Sequence, residues 1–332
     1  MAKINVRSPY FVNVSATGLT SAKLELIIYH GAANTSFGTP TYILSSTAVD
    51  AKVNFEISSL IKDYINGQFN GNYPNTGATE AEATTIFVDY RVTQATASGS
   101  TVGSPVYGVR AYDGFGYFED GANPQFEQGY LQSNTTILKS DDAPLRIPID
   151  PTNTTSVAFF SNGEEIYTFS PSGTYTIQNQ ILYISNAASG VDGYEDRVLL
   201  AGGTFEGSSC LDKFLSQIGV YPADTVYVNE TSGVTKIDVQ NIEECKHTPY
   251  KLTFINKFGA YQDLWMFKRS DLSISKTEEE FRSNIISNGS YNTYSHQYKT
   301  FNVNAKESLT LNTGFYPEEY NEVFKQMMLS ER

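Results

Sequence analysis

Two cysteines, one tryptophan, three histidines and four methionines in 332 residues leave little material for thiol, imidazole or soft-metal chemistry. Cys210 and Cys245 stand in neither a C-x-x-C nor a His-paired spacing, so the pattern of a metal site is missing. A bridge between them would stabilise the fold by about 3 to 4 kcal/mol, but synthesis in a reducing compartment favours two buried thiols. No run approaches the roughly 18 consecutive apolar residues of a membrane span. The opening "MAKINVRSPYFVNV" has no apolar core followed by a cleavage site, so no secretory signal is read there. The expectation is a chain made in the cytoplasm without a membrane span, in which triplets such as Asn134-Thr135-Thr136 carry no glycosylation meaning.

Charge is also scarce, at 18% of residues against about 25% in ordinary globular chains. Basic residues are the scarcer kind, 23 against 36 acidic, for a net charge of -13. A phosphate-binding surface needs clustered Lys and Arg, and the absence of a cluster excludes nucleic acid as an expected partner.

Catalytic patterns are missing as well. There is no G-x-S-x-G, no G-x-x-x-x-G-K-[ST] and no G-x-G-x-x-G opening a helix. His30, His247 and His296 fall in turn-like or strand-end contexts, and none stands beside a serine or cysteine in a recognised catalytic arrangement. Two acidic groups remain: Asp113, Glu119 and Asp120 in "YDGFGYFEDG", and Asp192, Glu195 and Asp196 in "VDGYED". Paired carboxylates across a groove could hydrolyse a glycan, or hold calcium through oxygen ligands. Neither group has the alternating spacing of a calcium loop, and acids beside glycine are ordinary turn residues. The expectation is no catalytic residue, no cofactor and no metal.

What the chain has instead is aromatic and turn-forming: 23 tyrosines, 20 phenylalanines and 25 glycines. Period-two alternation in "KLELIIYHG", "KVNFEIS", "TIFVDYRVTQ" and "PVYGVRAY" predicts half-buried strands. "SSLIKDYING" breaks that rhythm with a short helical stripe, Leu60, Ile61, Tyr64 and Ile65, capped by Ser58 or Ser59 and stopped by Gly67. Strands resume at "LRIPID" and "SVAFFSNGEEIYTFS", where Asn-Gly marks a hairpin, and "ETSGVT" marks a second. "SSCLDKFLSQIGVYP" sets Leu211, Phe214, Leu215 and Ile218 at helical spacing. "LSISKTEEEFRSN" and "YKTFNVNAKESLTLNTG" read as two long strands flanking a polar tip. The fold class is therefore mostly β, with two antiparallel β-sandwich-like domains, short helices and a C-terminal amphipathic helix. The boundaries fall at residues 1–118 for the first sandwich, 119–145 for a connecting segment pinned by its aromatic side chains, 146–316 for a second β domain and 317–332 for the helix.

Two stretches nominate themselves for contacts. "PYKLTFINKFGAYQDLWMF" gathers Phe258, Trp265 and Phe267 around a Lys-Phe-Gly-Ala reversal, with apolar residues on both faces. Strands buried on both sides are expected, in a core or an interface rather than a sugar platform. "PEEYNEVFKQMMLSER" starts a helix at Pro317 and puts Tyr320, Val323, Phe324, Met327 and Met328 on one stripe. A helix this short needs a partner surface, either its own domain or a neighbouring subunit. Phe258, Trp265, Phe267, Tyr320, Phe324, Met327 and Met328 are the candidate interaction residues.

The sequence "RSPYFVNV" leading to "LELIIYHG", then "GYFEDGANP", "YKLTFINKFGAYQDLWMFKRS" and "VFKQMMLSE", resembles virion structural proteins of tailed bacteriophages, of the kind found in phages of marine and Bacteroidetes hosts. The resemblance covers most of the chain and brings no catalytic residue with it. It implies an all-β building block of a tail, neck or baseplate, present in several copies in the virion, whose partners are other virion proteins and copies of itself. The rival expectation is a glycan-binding module or tail-borne adhesin, using tyrosines in "YPNTGATEAEA" or "SNGSYNTYSHQY" against a host glycan.

Overall fold

The computed structural model describes residues 2–31, 33–65, 85–140, 145–171, 181–185 and 223–331. It is mostly β, in agreement with the alternation. The helix expected around Leu211 to Ile218, Cys210, the acids at 192–196 and the loop at 73–83 lie outside the described residues.

The first layers come from β1 (Lys3–Asn5), β2 (Phe11–Ser15), β3 (Leu19–Tyr29), β4 (Tyr42–Thr47), β5 (Lys52–Glu56), β6 (Thr85–Thr96), β7 (Gly99–Val102) and β8 (Val106–Tyr112). One sheet runs β1-β8-β6-β3-β4 with β7 on β6, and β2 pairs with β5 in the second layer. Leu24, Leu26, Ile86 and Val88 of the sheet meet Val12, Val14, Val53 and Phe55 of the pair in one core. The alternation predicted these inward positions. It did not announce that β1 lies parallel to β8, nor that Asp89, mid-strand in β6, is fully buried. Its carboxylate accepts from Tyr29 Oη at 2.9 Å, the Gly108 amide at 2.7 Å and Asn34 Nδ2 at 2.9 Å, which satisfies it.

Helix α1 (Ser58–Lys62) closes this sandwich through Ile61. Its cap differs from the expected one. The N-cap is Ile57, and Ser58 and Ser59 turn their hydroxyls onto the carboxylate of Glu56, which also accepts the Ser58 amide at 2.8 Å. A carboxylate offers two acceptors to the orphan amides at a helix start, where a serine offers only its hydroxyl oxygen.

Residues 113–135 form no strand; they hold a 3-10 turn at Phe118–Asp120 and a single antiparallel bridge from Tyr130 to Ile149. Aromatics pin them as expected, with Phe126 edge-on to Tyr112 at 5.1 Å and to Phe258 at 5.5 Å. Amide side chains do as much. Asn123 exchanges two bonds with the Phe11 backbone, 2.7 and 2.9 Å, and Gln125 two with Lys3, 2.8 and 2.6 Å, so each stands in for a missing strand neighbour.

A second set of layers follows: β9 (Thr136–Ser140), β10 (Arg146–Ile149), β11 (Thr154–Ser161), β12 (Glu164–Phe169), β13 (Leu182–Ser185), β14 (Thr225–Glu230) and β15 (Gly233–Ile242). The sheet order is β12-β11-β14-β15-β9, and β10 pairs with β13. Both hairpin cues hold. Asn162 and Gly163 take φ of 50° and 82° between β11 and β12, and β14 returns to β15 from Glu230 to Gly233. Phe159, Val226, Val228 and Ile237 fill the core against Ile147, Ile149 and Leu182.

The chain forms two compact units, divided elsewhere than at residues 118 and 145. The first comprises Met1–Ile242, Leu252–Leu264 and Pro317–Arg332, and the second Glu243–Lys251 and Trp265–Tyr316. Both sets of layers belong to the first unit, since residues 1–7, 110–113 and 124–154 are cross-linked by the polar contacts described below. The hairpin β16 (Tyr250–Ile255) and β17 (Tyr261–Met266) passes between the units along the chain. In the second unit β18 (Lys268–Arg282) pairs antiparallel with β21 (Tyr298–Asn312), and β19 (Ile286–Ser287) with β20 (Ser290–Tyr291) around Asn288 and Gly289. These are the two long strands and the tip that the sequence foretold.

Gly259, at the reversal of the β16–β17 hairpin, has φ of 79°, and a Cβ there would meet the Asp113 amide nitrogen at 2.9 Å. Gly259→Ala should therefore destabilise the first unit by about 2 kcal/mol or more, from a left-handed backbone and a collision with main chain. A urea midpoint lowered at constant m-value is the expected result; an unchanged midpoint would show that the loop relaxes freely.

Candidate functional site

The aromatic hairpin is built around a buried asparagine. Asn256 is fully buried, and its Oδ1 accepts the amides of Phe258 at 3.0 Å and Ala260 at 3.1 Å, shaping the reversal as Asn does in tight turns. Its Nδ2 donates to the Leu131 carbonyl at 2.7 Å and to Gln262 Oε1 at 3.1 Å, and Gln262 passes the chain of bonds on to Asn134 at 2.9 Å. Arg7 Nη2 donates to the Asn256 carbonyl at 3.1 Å. Phe258, Ala260 and Tyr261 then pack with Tyr112, Leu131 and Tyr183, and the Tyr261 amide donates to Tyr183 Oη at 2.9 Å. Phe258 is thus a core residue of the first unit.

Trp265 and Phe267 belong to the second unit. Trp265 is half-buried and Phe267 buried. Their rings stack at 6.2 Å, Phe267 stacks on Tyr316 at 6.3 Å, and Tyr316 Oη donates to the Trp265 carbonyl at 2.6 Å. The three rings clamp the start of β18 to the segment that follows β21.

The last helix, α2 (Tyr320–Leu329), begins three residues later than Pro317, which lies in the preceding turn. It docks within the first unit. Tyr320 Oη accepts the Leu138 amide at 2.9 Å, the Glu319 carboxylate accepts the amides of Thr135 and Thr136 at 3.2 and 3.1 Å, and Ser330 Oγ accepts the Ile255 amide at 3.2 Å. Tyr320, Val323 and Gln326 are the buried residues; Phe324 and Met327 are half-buried, and Met328 is 81% exposed. The inward stripe therefore runs through Gln326 and leaves Met328 outside it. Gln326 earns its burial by donating to Ser133 Oγ at 2.6 Å and Glu322 Oε1 at 2.9 Å and accepting the Lys257 amide at 3.2 Å. Burial alone would raise the Glu322 carboxyl. Hydrogen bonds from Gln326 and Tyr117 and the charges of Lys257 and Lys325 outweigh it and hold it below its usual value.

Among the acids weighed for catalysis, Asp113 is buried and faces Arg7 at 3.5 Å, while Glu119 and Asp120 sit exposed on the 3-10 turn. Among the described residues no group of three or more His, Cys, Asp or Glu is placed to hold a metal ion. Cys245 is a free thiol but an exposed one, not buried as expected, because it lies in the turn-rich link between β15 and β16.

A cavity of about 660 Å³ opens beside Lys3, Arg110, Gln125, Phe126, Glu127 and Thr152. Its charged floor is turned inward onto Asp150, which is fully buried. Asp150 is ion-paired with Lys3 Nζ at 2.7 Å and accepts from Arg110 Nη1 at 3.2 Å, Tyr112 Oη at 3.3 Å, and the Thr152 amide and hydroxyl at 2.9 and 2.6 Å. Lys3 also lies 4.1 Å from the centre of the Phe126 ring. Residues from β1, β8 and the β10–β11 turn are thereby joined at one carboxylate.

The second unit presents the opposite picture. Both strands of the ribbon are exposed along nearly their whole length. Leu272 (64%), Ile274 (62%) and Leu309 (47%) stand in water, as do Tyr291, Tyr294 and Tyr298 towards the tip. Leu272 and Leu309 are cross-strand partners on one face; Phe281 and Phe301 meet edge-on at 5.6 Å. Scattered exposed apolar residues are normal, but a contiguous run of them marks a binding surface. This surface was missed because each strand, read alone, alternates polar and apolar as if one face were covered.

No protein-family model and no curated protein matches this chain.

Burial raises Asp150, but Lys3, Arg110 and the hydrogen bonds outweigh it and depress its carboxyl, so it stabilises the fold above its unfolded value and loses that contribution as pH falls through the folded one. Lys3 works in the other direction, because burial first, then Arg110, lowers its ammonium against the pull of Asp150, a cost that disappears only as pH rises towards 10.5. Asp150→Asn should cost about 3 to 5 kcal/mol at neutral pH and flatten the fall of stability in acid, measured by denaturant titrations from neutral pH downwards. A variant with an unchanged acid limb would remove Asp150 from this role.

Proposed function

We propose that this chain is a non-enzymatic structural component of a bacteriophage virion, a tail, neck or baseplate protein that assembles as a ring through protein–protein contacts. The observation that carries the reading is the ribbon of β18 and β21, two fifteen-residue strands exposed along nearly their whole length, with large apolar side chains standing in water. A two-stranded ribbon is marginal on its own in water, so a covering partner is the condition under which it is stable. The resemblance of the sequence to virion structural proteins gives that partner a setting: other virion proteins and further copies of the chain, with the protein made in the host cytoplasm and ending in the particle.

The adhesin reading has one observation in its favour. Tyr291, Tyr294 and Tyr298 near the tip are 62%, 91% and 62% exposed, beside Asn292 and Ser295, a mixture that suits sugar recognition. A glycan array with the purified chain separates the two. Binding abolished by Tyr294→Ala would favour the adhesin; an array without hits favours assembly.

Electron microscopy of the purified protein tests the main reading. Closed rings of cyclic symmetry, and the same chain in purified particles by mass spectrometry, are the expected result. A chain that stays monomeric at its solubility limit and is missing from particles would overturn it.

A further inference from the structure

We infer that the cavity of about 660 Å³ beside Lys3, Arg110 and Phe126 binds a small hydroxylated carboxylate of the sugar-acid class. Every residue involved belongs to the first unit, so the inference stands apart from the assembly reading. The first argument is charge. Lys3 and Arg110 are buried at the cavity against Asp150, two buried cations to one buried anion. Glu127, the other acid at the cavity, is exposed, and water and salt attenuate its field. The Lys3 side chain is only 7% exposed; its Nζ meets Asp150 at 2.7 Å on one side and the Phe126 ring, 4.1 Å from the centre, on another. An ammonium has three N–H donors, and among the described residues Nζ has no hydrogen-bond acceptor besides that carboxylate. Burial holds the Lys3 ammonium below its usual value in spite of Asp150, so the existing pair does not offset the lost water. A monoanion entering the cavity supplies the acceptor and the single charge that this floor lacks.

The walls give the second argument. Phe126 is half-buried and offers apolar surface next to the ammonium, where the carbon skeleton of a ligand held by its carboxylate would lie. The remaining lining comes largely from two turns, Thr152 and Asn153 ahead of β11 and Thr231 and Ser232 between β14 and β15. Their hydroxyl and amide groups match the hydroxyls of a sugar acid, since both sides can donate and accept. These turns are fixed before any ligand arrives. The Thr231 amide donates to the Asn153 carbonyl at 3.0 Å, and Asn153 Nδ2 donates to the Glu127 carbonyl at 2.7 Å. The volume falls within the roughly 300 to 1,000 Å³ of small-molecule sites, which combine apolar walls with a few placed polar groups and a charge.

The test is calorimetric titration of the full chain with glucuronate, with glucose and glucuronamide as neutral counterparts of the same shape. Saturable binding of glucuronate and none of the neutral pair is the expected result. Lys3→Met should weaken that binding roughly tenfold or more. Ser232→Trp, at an exposed turn position, should obstruct the cavity and abolish binding with the urea midpoint unchanged, so it carries the test even where Lys3→Met fails to fold. A linear trimer of glucuronate distinguishes the sources of such a ligand: tighter binding than the monomer assigns the site to a polysaccharide, equal binding to a free sugar acid. Absence of glucuronate binding, equal binding of glucose, or binding that survives either substitution in a folded chain would overturn the inference, and none of these results bears on whether the chain assembles.

Discussion

The first unit is organised by a carboxylate that water cannot reach. Asp150 sits between Lys3 and Arg110, pairing with the Lys3 ammonium of β1 and taking four hydrogen bonds from β8 and the turn after β10. Removing an ion from water is expensive, and the cost is recovered only where geometry and hydrogen bonding are both complete. That requirement acts on the backbone: β1 must lie against β8, residues 124–127 must follow β1, and the β10–β11 turn must arrive at the same point. The polar networks at Asn256 and Gln326 follow the same rule one layer further out, each with its hydrogen-bonding groups directed at named partners. Satisfied polar centres of this kind specify one arrangement where apolar packing alone would accept several.

The second unit has no such centre. Its ribbon is held by its own ladder and by a stack of three rings, Trp265, Phe267 and Tyr316. A two-stranded sheet has two faces and no interior, so every side chain along it remains in contact with water until something else arrives. The contrast between a unit that spends its polar groups on internal order and one that leaves its apolar groups outside is the physical basis for reading the chain as an assembly protein.

Much of this architecture was legible in the sequence. Period-two alternation located β3, β5, β6 and β8, and the Asn-Gly of residues 162–163 and the Ser-Gly of residues 232–233 located two turns, because those signals are local and the backbone obeys them without help. The long ribbon was legible for the same reason. What could not be read were contacts between residues far apart in sequence: Asp150 looks like any turn acid beside a proline, Asn123 and Gln125 like loop residues, and Gln326 like an interruption in an apolar stripe. Each is decided by a partner at least eighty residues away. The candidate residues divided accordingly. Phe258 and Tyr320 turned out to be buried, Phe324 and Met327 partly so, Trp265 and Phe267 to stack at the base of the ribbon, and Met328 to stand outside. The exposed apolar side chains of the ribbon lay in strands whose alternation disguised the absence of a covering layer.

The central claim is that the ribbon's apolar side chains are covered by polypeptide when the protein is at work. Hydrogen exchange of the amides between Leu272 and Leu309, followed at high and at low protein concentration, addresses it directly. The account predicts slow exchange in the concentrated, assembled protein and fast exchange on dilution, with the first unit protected throughout. Equal protection of the ribbon at both concentrations would contradict it.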